Sequence, residues 1–210
     1  MNKKLFLLFS LISIFISAFA ACNQKSASKN SSVAPVVKKG VAPVADPEIA
    51  VIELENAAAY GTIKIELYSN IAPKMVARFK ELAREGVYDG VAFHRINPSV
   101  IQSGDPLSKD ADPSNDGMGQ SDKPDVEAEF SDIPYDAGIV GAARSQDFNS
   151  ANSQFFITLK RETGFDNKYT IFGKVIEGMN NARTIAAAPK TGERPNDPIL
   201  IKTVTIQPKQ

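Results

Sequence analysis

The chain contains a single histidine, His94, and the next residue is an arginine, Arg95, within the stretch FHRI. One histidine is too few for a zinc site of the Cys/His type or for a catalytic site with three histidines. A serine hydrolase would have to use His94 as its base, but no G-x-S-x-G motif accompanies it. The residue types therefore disfavour metal and nucleophilic chemistry and direct attention to Arg95.

The alternation of side chains along a strand separates these two neighbours. In VAFHRI, Phe93 and Arg95 fall on one face, while Ala92, His94 and Ile96 fall on the other. We expect His94, with small and aliphatic neighbours, to be a hydrogen-bonded core residue rather than a catalyst. Arg95 then lies on a different face from His94.

Two further strands present amides and apolar side chains with the same period. Val100 and Gln102 share a face in SVIQS, and Gln154 and Phe156 share a face in SQFFI. If these faces meet that of Arg95, they form an apolar floor with one fixed cation and two amides. Such a set transfers no proton near neutral pH. The alternative is that these are ordinary strand residues, with Arg95 in a surface salt bridge.

Short apolar segments alternate with turn signals from Glu48 onward. Residues 73–85 place apolar side chains at spacings of three and four, with Pro73 at the start and Gly86 just past the end, which predicts an amphipathic helix. A second, weaker helix fits residues 179–187. Predicted strands cover 49–54, 62–68, 91–96, 99–104, 138–143, 154–159, 169–177 and 199–207. This pattern predicts a mainly β architecture, and a closed barrel would remove the exposed strand edges.

The N-terminus has the layout of a secretory signal. Lys3 and Lys4 precede an uncharged apolar run, residues 5–21, that ends in small residues. We therefore assign residues 1–21 to a signal peptide. A retained anchor helix is the alternative, but the run is marginally short for a membrane span.

Cys22 is the only cysteine, so no intramolecular disulfide can form. Its position directly after Ala20 and Ala21 resembles a bacterial lipobox, in which the cysteine is lipidated and anchors the protein to a membrane. Cleavage after Ala20 is the alternative, and it would leave a soluble secreted or periplasmic protein. Residues 23–47, rich in Ser, Ala, Pro and Lys, are predicted to be a flexible linker. The domains are thus 1–21, 22–47 and 48–210.

The charge balance narrows the choice of partners. The chain has 24 basic and 24 acidic residues, which disfavours nucleic acid as the main partner. Asp112, Ser114, Asp116 and Gly117 match a calcium loop in part, but Lys123 stands where the bidentate glutamate belongs. We interpret residues 106–127 as a solvated loop and expect no metal ion.

Five segments together carry a resemblance to a known family. They are FHRI, VIQSGD, GIVGAARS, NSQFFI and DNKYTIFGKVIEGM. In order and spacing, over residues 48–207, they resemble the cyclophilin family of peptidyl-prolyl cis/trans isomerases. The resemblance implies a closed eight-stranded antiparallel β-barrel capped by two α-helices, with the active groove on its outer face. It also implies a monomer that needs no cofactor.

The resemblance assigns roles to individual residues. Arg95 matches the catalytic arginine, and His94 matches a histidine that has no catalytic role. Matches to substrate-binding positions are Val100, Gln102, Ala143, Arg144, Ser145, Gln154, Phe156, Phe165 and Tyr169. The chain has one residue fewer than usual between Arg95 and Gln102, and it has Gly164 where many members carry an aromatic ring. Phe165 stands at a usual leucine position and is expected to refill part of the proline pocket.

The implied function is isomerisation of X-Pro bonds in exported proteins, as an aid to folding in the bacterial cell envelope. Uncatalysed isomerisation takes tens to hundreds of seconds, which is slow enough to limit folding. The alternative function is a binding module or chaperone that holds proline-containing segments with weak or no turnover. A membrane-anchored hydrolase is disfavoured because no nucleophile motif is present.

Overall fold

The structure is a computed structural model that describes residues 35–110 and 112–209. The predicted signal peptide, Cys22 and the first part of the predicted linker lie outside these residues. In the described part of the chain, no helix is long and apolar enough to cross a membrane.

Antiparallel strands form the framework of the domain. In chain order they are β1 (Glu48–Leu54), β2 (Thr62–Leu67), β3 (Arg95–Ile96), β4 (Val100–Ser103), β5 (Ile139–Ala142), β6 (Phe155–Thr158), β7 (Ile171–Glu177), β8 (Lys190–Thr191), β9 (Arg194–Pro195) and β10 (Ile201–Pro208). Eight of them form one sheet in the order β10-β1-β2-β7-β5-β6-β4-β3, and β8 and β9 form a separate hairpin. The mainly β prediction is confirmed.

The prediction of a closed barrel is wrong, because the regular sheet is an open, curled half-barrel with β3 and β10 at its two edges. Among the described residues, one isolated bridge, Ala92 to Leu200, and a few backbone hydrogen bonds join these edges. The physical reason lies in residues 91–94, which were predicted to be strand. They follow an irregular path, so that only the last two residues of VAFHRI form β3.

Both predicted helices are present. α2 (Pro73–Arg84) buries one face against the sheet, and α3 (Met179–Ala186) does the same more weakly. The buried face of α2 consists of Met75, Val76, Phe79, Leu82 and Ala83. Gly86 has a φ of 70°, a left-handed conformation that favours glycine just past a helix end. A four-residue helix, α1 (Ala57–Tyr60), lies in the β1–β2 connection and was not predicted.

The buried side chains form two clusters on the two faces of the curled sheet. The larger one fills the interior, where the ring of Phe79 lies 5.1 Å from that of Tyr88 and 5.2 Å from that of Phe172. The smaller cluster includes Val100 and Phe156. This second cluster belongs to the outer face, where the sequence places the candidate site.

Residues 38–46, which we call the docked segment, are bound to the domain. The backbone N–H of Lys38 donates to the Phe130 carbonyl at 2.8 Å, and the N–H of Asp132 donates to the Lys38 carbonyl at 3.0 Å. At its other end, Lys80 Nζ donates to the Asp46 carboxylate at 2.6 Å. The prediction of a flexible linker is therefore wrong for this segment. Its backbone finds partners that are distant in sequence, which local composition does not reveal.

Candidate active site

The register of three paired strands sets the candidate site. Arg95 in β3 lies opposite Gln102 in β4, and Gln102 lies opposite Phe156 in β6. Opposite residues in an antiparallel sheet project to the same side. One row across the outer face therefore contains a cation, an amide and an aromatic ring. The intervening residues Ile101 and Phe155 point into the interior cluster. The predicted shared faces, Val100 with Gln102 and Gln154 with Phe156, are therefore present on the outer side of the sheet.

Arg95 is held at two points along its guanidinium. Nη1 donates to Gln102 Oε1 at 3.3 Å, and Nε donates to Glu193 Oε2 at 2.5 Å. Gln102 Nε2 in turn donates to Gln154 Oε1 at 2.9 Å. The sequence indicated the two amides, but it gave no signal for Glu193, which lies on the β8–β9 hairpin. Nearly half of the Arg95 side chain, 45%, is exposed.

Aromatic rings surround Phe156 on the outer face. Ring centroids lie 5.4 Å away for Phe165, 5.6 Å for Tyr169 and 5.8 Å for Tyr135, which is stacked beneath it. Together with neighbouring groups they enclose a cavity of about 90 Å³. Its lining residues are Arg95, Val100, Gln102, Ala143, Arg144, Phe156, Phe165 and Tyr169. Its lining combines apolar side chains, such as those of Val100, Phe156 and Phe165, with the side chains of Arg95 and Arg144.

Tyr135 is the member of this cluster that sequence reasoning missed. It is fully buried, and its place depends on Gly141 in β5. A Cβ atom at Gly141 would lie 2.4 Å from Cζ of Phe156 and 2.8 Å from the hydroxyl of Tyr135. The absence of a side chain at Gly141 therefore makes room for both rings.

A larger cavity, about 420 Å³, lies beside the first and contains the two remaining predicted residues, Ser145 and Gln154. Arg144 lines both cavities. Its guanidinium carbon lies 4.6 Å from the ring centroid of Tyr169 and 4.8 Å from that of Phe148, so it is stacked between two aromatic rings. The structure thus brings all the predicted substrate-binding residues together around two adjoining cavities.

His94 is buried, as predicted, with 8% of its surface exposed. It lines a different cavity, together with Asp116 and Arg194, and Arg95 is not part of that cavity. Burial lowers the pKa of His94, although the Asp105 carboxylate acts in the opposite direction. Neither ring nitrogen makes a hydrogen bond of regular geometry with a described residue, although an interaction with the Ala92 backbone also acts to raise the pKa of His94.

The prediction that Phe93 shares a face with Arg95 is also wrong. Phe93 and Ile96 both lie in the interior cluster, whereas Arg95 is exposed. Strict alternation requires a regular strand, and residues 91–94 do not form one. Arg95 nevertheless reaches the outer face because it is the first residue of β3.

The site combines the guanidinium groups of Arg95 and Arg144, two amides and a cavity lined in part by apolar side chains, without a base that titrates near neutral pH. In the described part of the chain, no group of three His, Cys, Asp or Glu side chains is placed to hold a metal ion. Asp116, part of the predicted solvated loop, pairs with Arg194 at 3.1 Å. The arrangement is suited to binding a small apolar ring next to a group that gains electron density.

Comparisons with known proteins identify the family of this chain. The sequence model of the family described as cyclophilin type peptidyl-prolyl cis-trans isomerase matches residues 51–206. A probable peptidyl-prolyl cis-trans isomerase of Brucella suis is 46% identical over 145 residues, which cover 66% of this chain and 72% of that protein. The Schizosaccharomyces pombe enzyme is 39% identical over 166 residues, or 75% of this chain and all of that protein.

A solved structure gives the same result. The chain superimposes on a cyclophilin type isomerase of Cryptosporidium parvum, in the presence of the dipeptide Ala-Pro, with a TM-score of 0.67 and 30% identity. The match covers 77% of this chain and 99% of that one. The chain belongs to the cyclophilin-type peptidyl-prolyl cis-trans isomerase family and has the mainly β fold of that family. Peptidyl-prolyl cis-trans isomerisation is its activity.

Proposed function

We propose that this enzyme isomerises X-Pro bonds of exported polypeptides in the bacterial cell envelope, with Arg95 as its catalytic residue. The observation that carries the proposal is the row of Arg95, Gln102 and Phe156 across three strands, at the mouth of the 90 Å³ cavity. The presence of Ala-Pro with the Cryptosporidium relative supports a proline-containing substrate at this kind of site.

The reaction requires rotation about a partial double bond and breaks no covalent bond. Resonance gives this rotation a barrier of about 18–20 kcal/mol. In the twisted state the prolyl nitrogen regains its lone pair and becomes a hydrogen-bond acceptor. A donor that binds this state better than the planar state lowers the barrier by differential binding.

Arg95 is suited to this role because a guanidinium remains charged at every working pH and offers several donors in a fixed plane. The cavity formed by Val100, Phe156 and Phe165 would hold the proline ring while the preceding residue turns. Gln102 would orient Arg95 through the hydrogen bond already present. No cofactor enters this mechanism.

An isomerase assay on the full-length protein tests the proposal. Arg95→Ala should lower kcat/KM by about 100-fold, as expected for the loss of one preorganised donor. Arg95→Lys should lose most of the activity as well, because an ammonium lacks the planar fork. Arg183→Ala, which removes an exposed arginine on α3, is the matched control and should retain wild-type rates. Near wild-type rates for Arg95→Ala would refute the mechanism.

A binding module with weak turnover is the second candidate, and one observation favours it. A Cβ atom built on Gly164 would have no neighbour within 4 Å, so the chain leaves open space beside Phe165. NMR spectra of a proline-containing peptide separate the two functions. Exchange broadening between the cis and trans signals supports turnover, whereas binding without exchange supports the binding module.

We also propose that Cys22 is lipidated and anchors a monomeric domain to the membrane. The support is the apolar run of residues 5–21 and the single cysteine directly behind it. Stable anchoring requires at least two acyl chains, as a lipidated N-terminal cysteine would provide. Fractionation of bacteria that express the full chain should place it with membranes and should place Cys22→Ser in the soluble fraction. A soluble wild-type protein would support the secreted or periplasmic alternative.

A further inference from the structure

Arg95 is held at a second point by Glu193, in the turn of the β8–β9 hairpin. Besides the contact to Arg95 Nε, Glu193 Oε1 accepts from Asn97 Nδ2 at 2.7 Å. The backbone N–H of Ile96 donates to the Glu193 carbonyl at 2.6 Å. We propose that Glu193 is a positioning residue, which fixes the guanidinium of Arg95 at the rim of the proline cavity. This inference rests on the catalytic role proposed for Arg95.

The side chain of Arg95 needs such a contact because little packing restrains it. It is long and flexible, and 45% of it is exposed. Glu193 occupies Nε and Gln102 occupies Nη1, whereas no described residue accepts a hydrogen bond from Nη2. The two contacts fix the plane of the guanidinium and leave one edge for the substrate.

The proposed benefit is geometric rather than electrostatic. The hydrogen bond from Arg95 lowers the pKa of Glu193, so its carboxylate is ionised at neutral pH. That negative charge offsets part of the positive potential that the twisted peptide bond would use. A donor already in position, however, needs no reorganisation when the bond turns. An uncharged acceptor of similar shape should therefore serve as well as glutamate.

The hairpin does not depend on the Glu193 side chain for its own position. The backbone bond from Ile96, the pairing of β8 with β9 and the ion pair of Arg194 with Asp116 all hold it independently. The pair of Arg95 and Glu193 is about half exposed, and such pairs contribute little to stability. Glu193→Ala should therefore fold like the wild type, so that any kinetic effect reports on Arg95.

The test measures kcat and KM of the full-length protein separately on one proline-containing peptide. Glu193→Ala should lower kcat by about tenfold with KM nearly unchanged, because a donor that is no longer fixed costs rate rather than binding. Glu193→Gln, which keeps an acceptor for Nε, should restore wild-type kcat. Glu177→Ala is the matched control, since it removes the exposed partner of Lys64 at 2.7 Å and should change neither constant.

A double-mutant cycle gives the decisive result. In the Arg95→Ala background, Glu193→Ala should cause no further loss, because Glu193 is proposed to act on the reaction through Arg95 and not through its hydrogen bond with Asn97. An additive loss, or wild-type kcat in Glu193→Ala alone, would overturn this inference and leave the proposed function intact. An Arg95→Ala variant with wild-type activity would instead overturn the proposed function, and the role of Glu193 with it.

Discussion

Gln102 and Gln154 are joined by a direct hydrogen bond of 2.9 Å between Nε2 and Oε1. Gln154 Nε2 also donates to the carbonyls of Gly117 and Gly119, at 3.1 and 2.8 Å. A continuous chain of hydrogen bonds therefore runs from the backbone at residues 117–119, through the two glutamine amides, to the guanidinium of Arg95. This chain fixes which amide atom of Gln102 faces the arginine.

Gln154→Ala should therefore lower the catalytic rate indirectly. The substitution leaves Arg95 in place but removes the hydrogen-bond partner that orients Gln102. Freed from its partner, the Gln102 amide can turn its NH₂ group toward Arg95, where two donors oppose each other. We expect kcat/KM to fall by about tenfold, within the range caused by small misplacements of catalytic groups. Steady-state isomerase kinetics test this, with Gln207→Ala at the exposed end of β10 as control. Unchanged kinetics for Gln154→Ala would show that the amide chain does not act on Arg95.

His94→Asn should reduce stability and leave the reaction nearly unaffected. The imidazole is buried in a cavity that excludes Arg95, so its replacement leaves a void and a buried amide. Such changes cost about 1–3 kcal/mol in the free energy of unfolding. We expect kcat/KM to stay within about threefold of wild type. A variant that folds with wild-type stability and is inactive would restore His94 to the list of catalytic candidates.

The same residue makes stability depend on pH. Because burial lowers the pKa of His94 below 6.5 in the folded protein, the unfolded chain binds the proton more readily. The contribution of the neutral His94 side chain to the free energy of unfolding is fully present above pH 6.5. It declines as the pH falls below that value, by up to about 1.4 kcal/mol per pH unit. Urea unfolding at pH 7.5 and 5.5 should show a smaller difference for His94→Asn than for wild type. If the change in the free energy of unfolding between the two pH values is equal for both proteins, His94 is not buried in its neutral form.

Tyr135→Phe should keep full activity and stabilise the protein. The Tyr135 hydroxyl is buried and has no hydrogen-bond partner among the described residues, whereas the ring stacks on Phe156. Removal of an unsatisfied hydroxyl should raise the free energy of unfolding by about 1 kcal/mol. Tyr68→Phe is the control, because that hydroxyl donates to Glu66 at 2.7 Å and its loss should destabilise. Chemical denaturation measures the free energy of unfolding of both variants. Destabilisation by Tyr135→Phe would indicate that the Tyr135 hydroxyl has a hydrogen-bond partner.

Asp46→Asn should loosen the docked segment. The Asp46 carboxylate accepts from Lys80 and from the hydroxyl of Ser69 at 2.6 and 2.7 Å, and only a tenth of it is exposed. Burial alone would raise its pKa, but the hydrogen bond from Lys80 and the other contacts outweigh this and lower it. We expect a loss of about 1–3 kcal/mol at pH 7. Glu127→Gln, which breaks an exposed pair with Lys74, is the control and should have little effect on stability.

The pH dependence of this effect has a defined sign. A carboxyl whose pKa is lowered in the folded state contributes stability above its unfolded value of 3.8, and that contribution is lost as the pH falls through the lowered value. The difference between wild type and Asp46→Asn should therefore shrink below about pH 4. A difference that is the same at pH 7 and pH 3 would exclude the carboxylate as its source.

Local patterns predicted the parts of the molecule that local interactions determine. The spacing of Val76, Phe79 and Leu82 defines the buried face of α2, and alternation places Gln102 and Gln154 on the outer face of paired strands. Alternation failed at Phe93, because the edge of the sheet is irregular there. The irregular path of residues 91–94 also explains why the half-barrel is open, because a regular ladder of backbone hydrogen bonds cannot continue through them.

Other features depend on partners that are remote along the chain. Glu193 lies 98 residues from Arg95, and nothing in its neighbourhood marks it as part of the site. Tyr135 follows a proline in a polar stretch, and its burial is understood only from the space left by Gly141. The docked segment has the composition of a linker, yet its backbone groups and Asp46 have partners on the folded domain. In each case the sequence provides the side chain, and tertiary contacts provide its role.

The docked segment also determines where mechanical load would enter the domain. Along the described residues, a pull from the N-terminal side would meet its first backbone pairing at Lys38, which forms a parallel bridge with Ser131. The next contacts along the segment are those with Asp132 and Asn70, and the ion pair of Asp46 with Lys80 follows just before β1. The contacts of the segment are separate from the pairing of the strands that carry Arg95 and Phe156, so loss of the former would leave the latter intact.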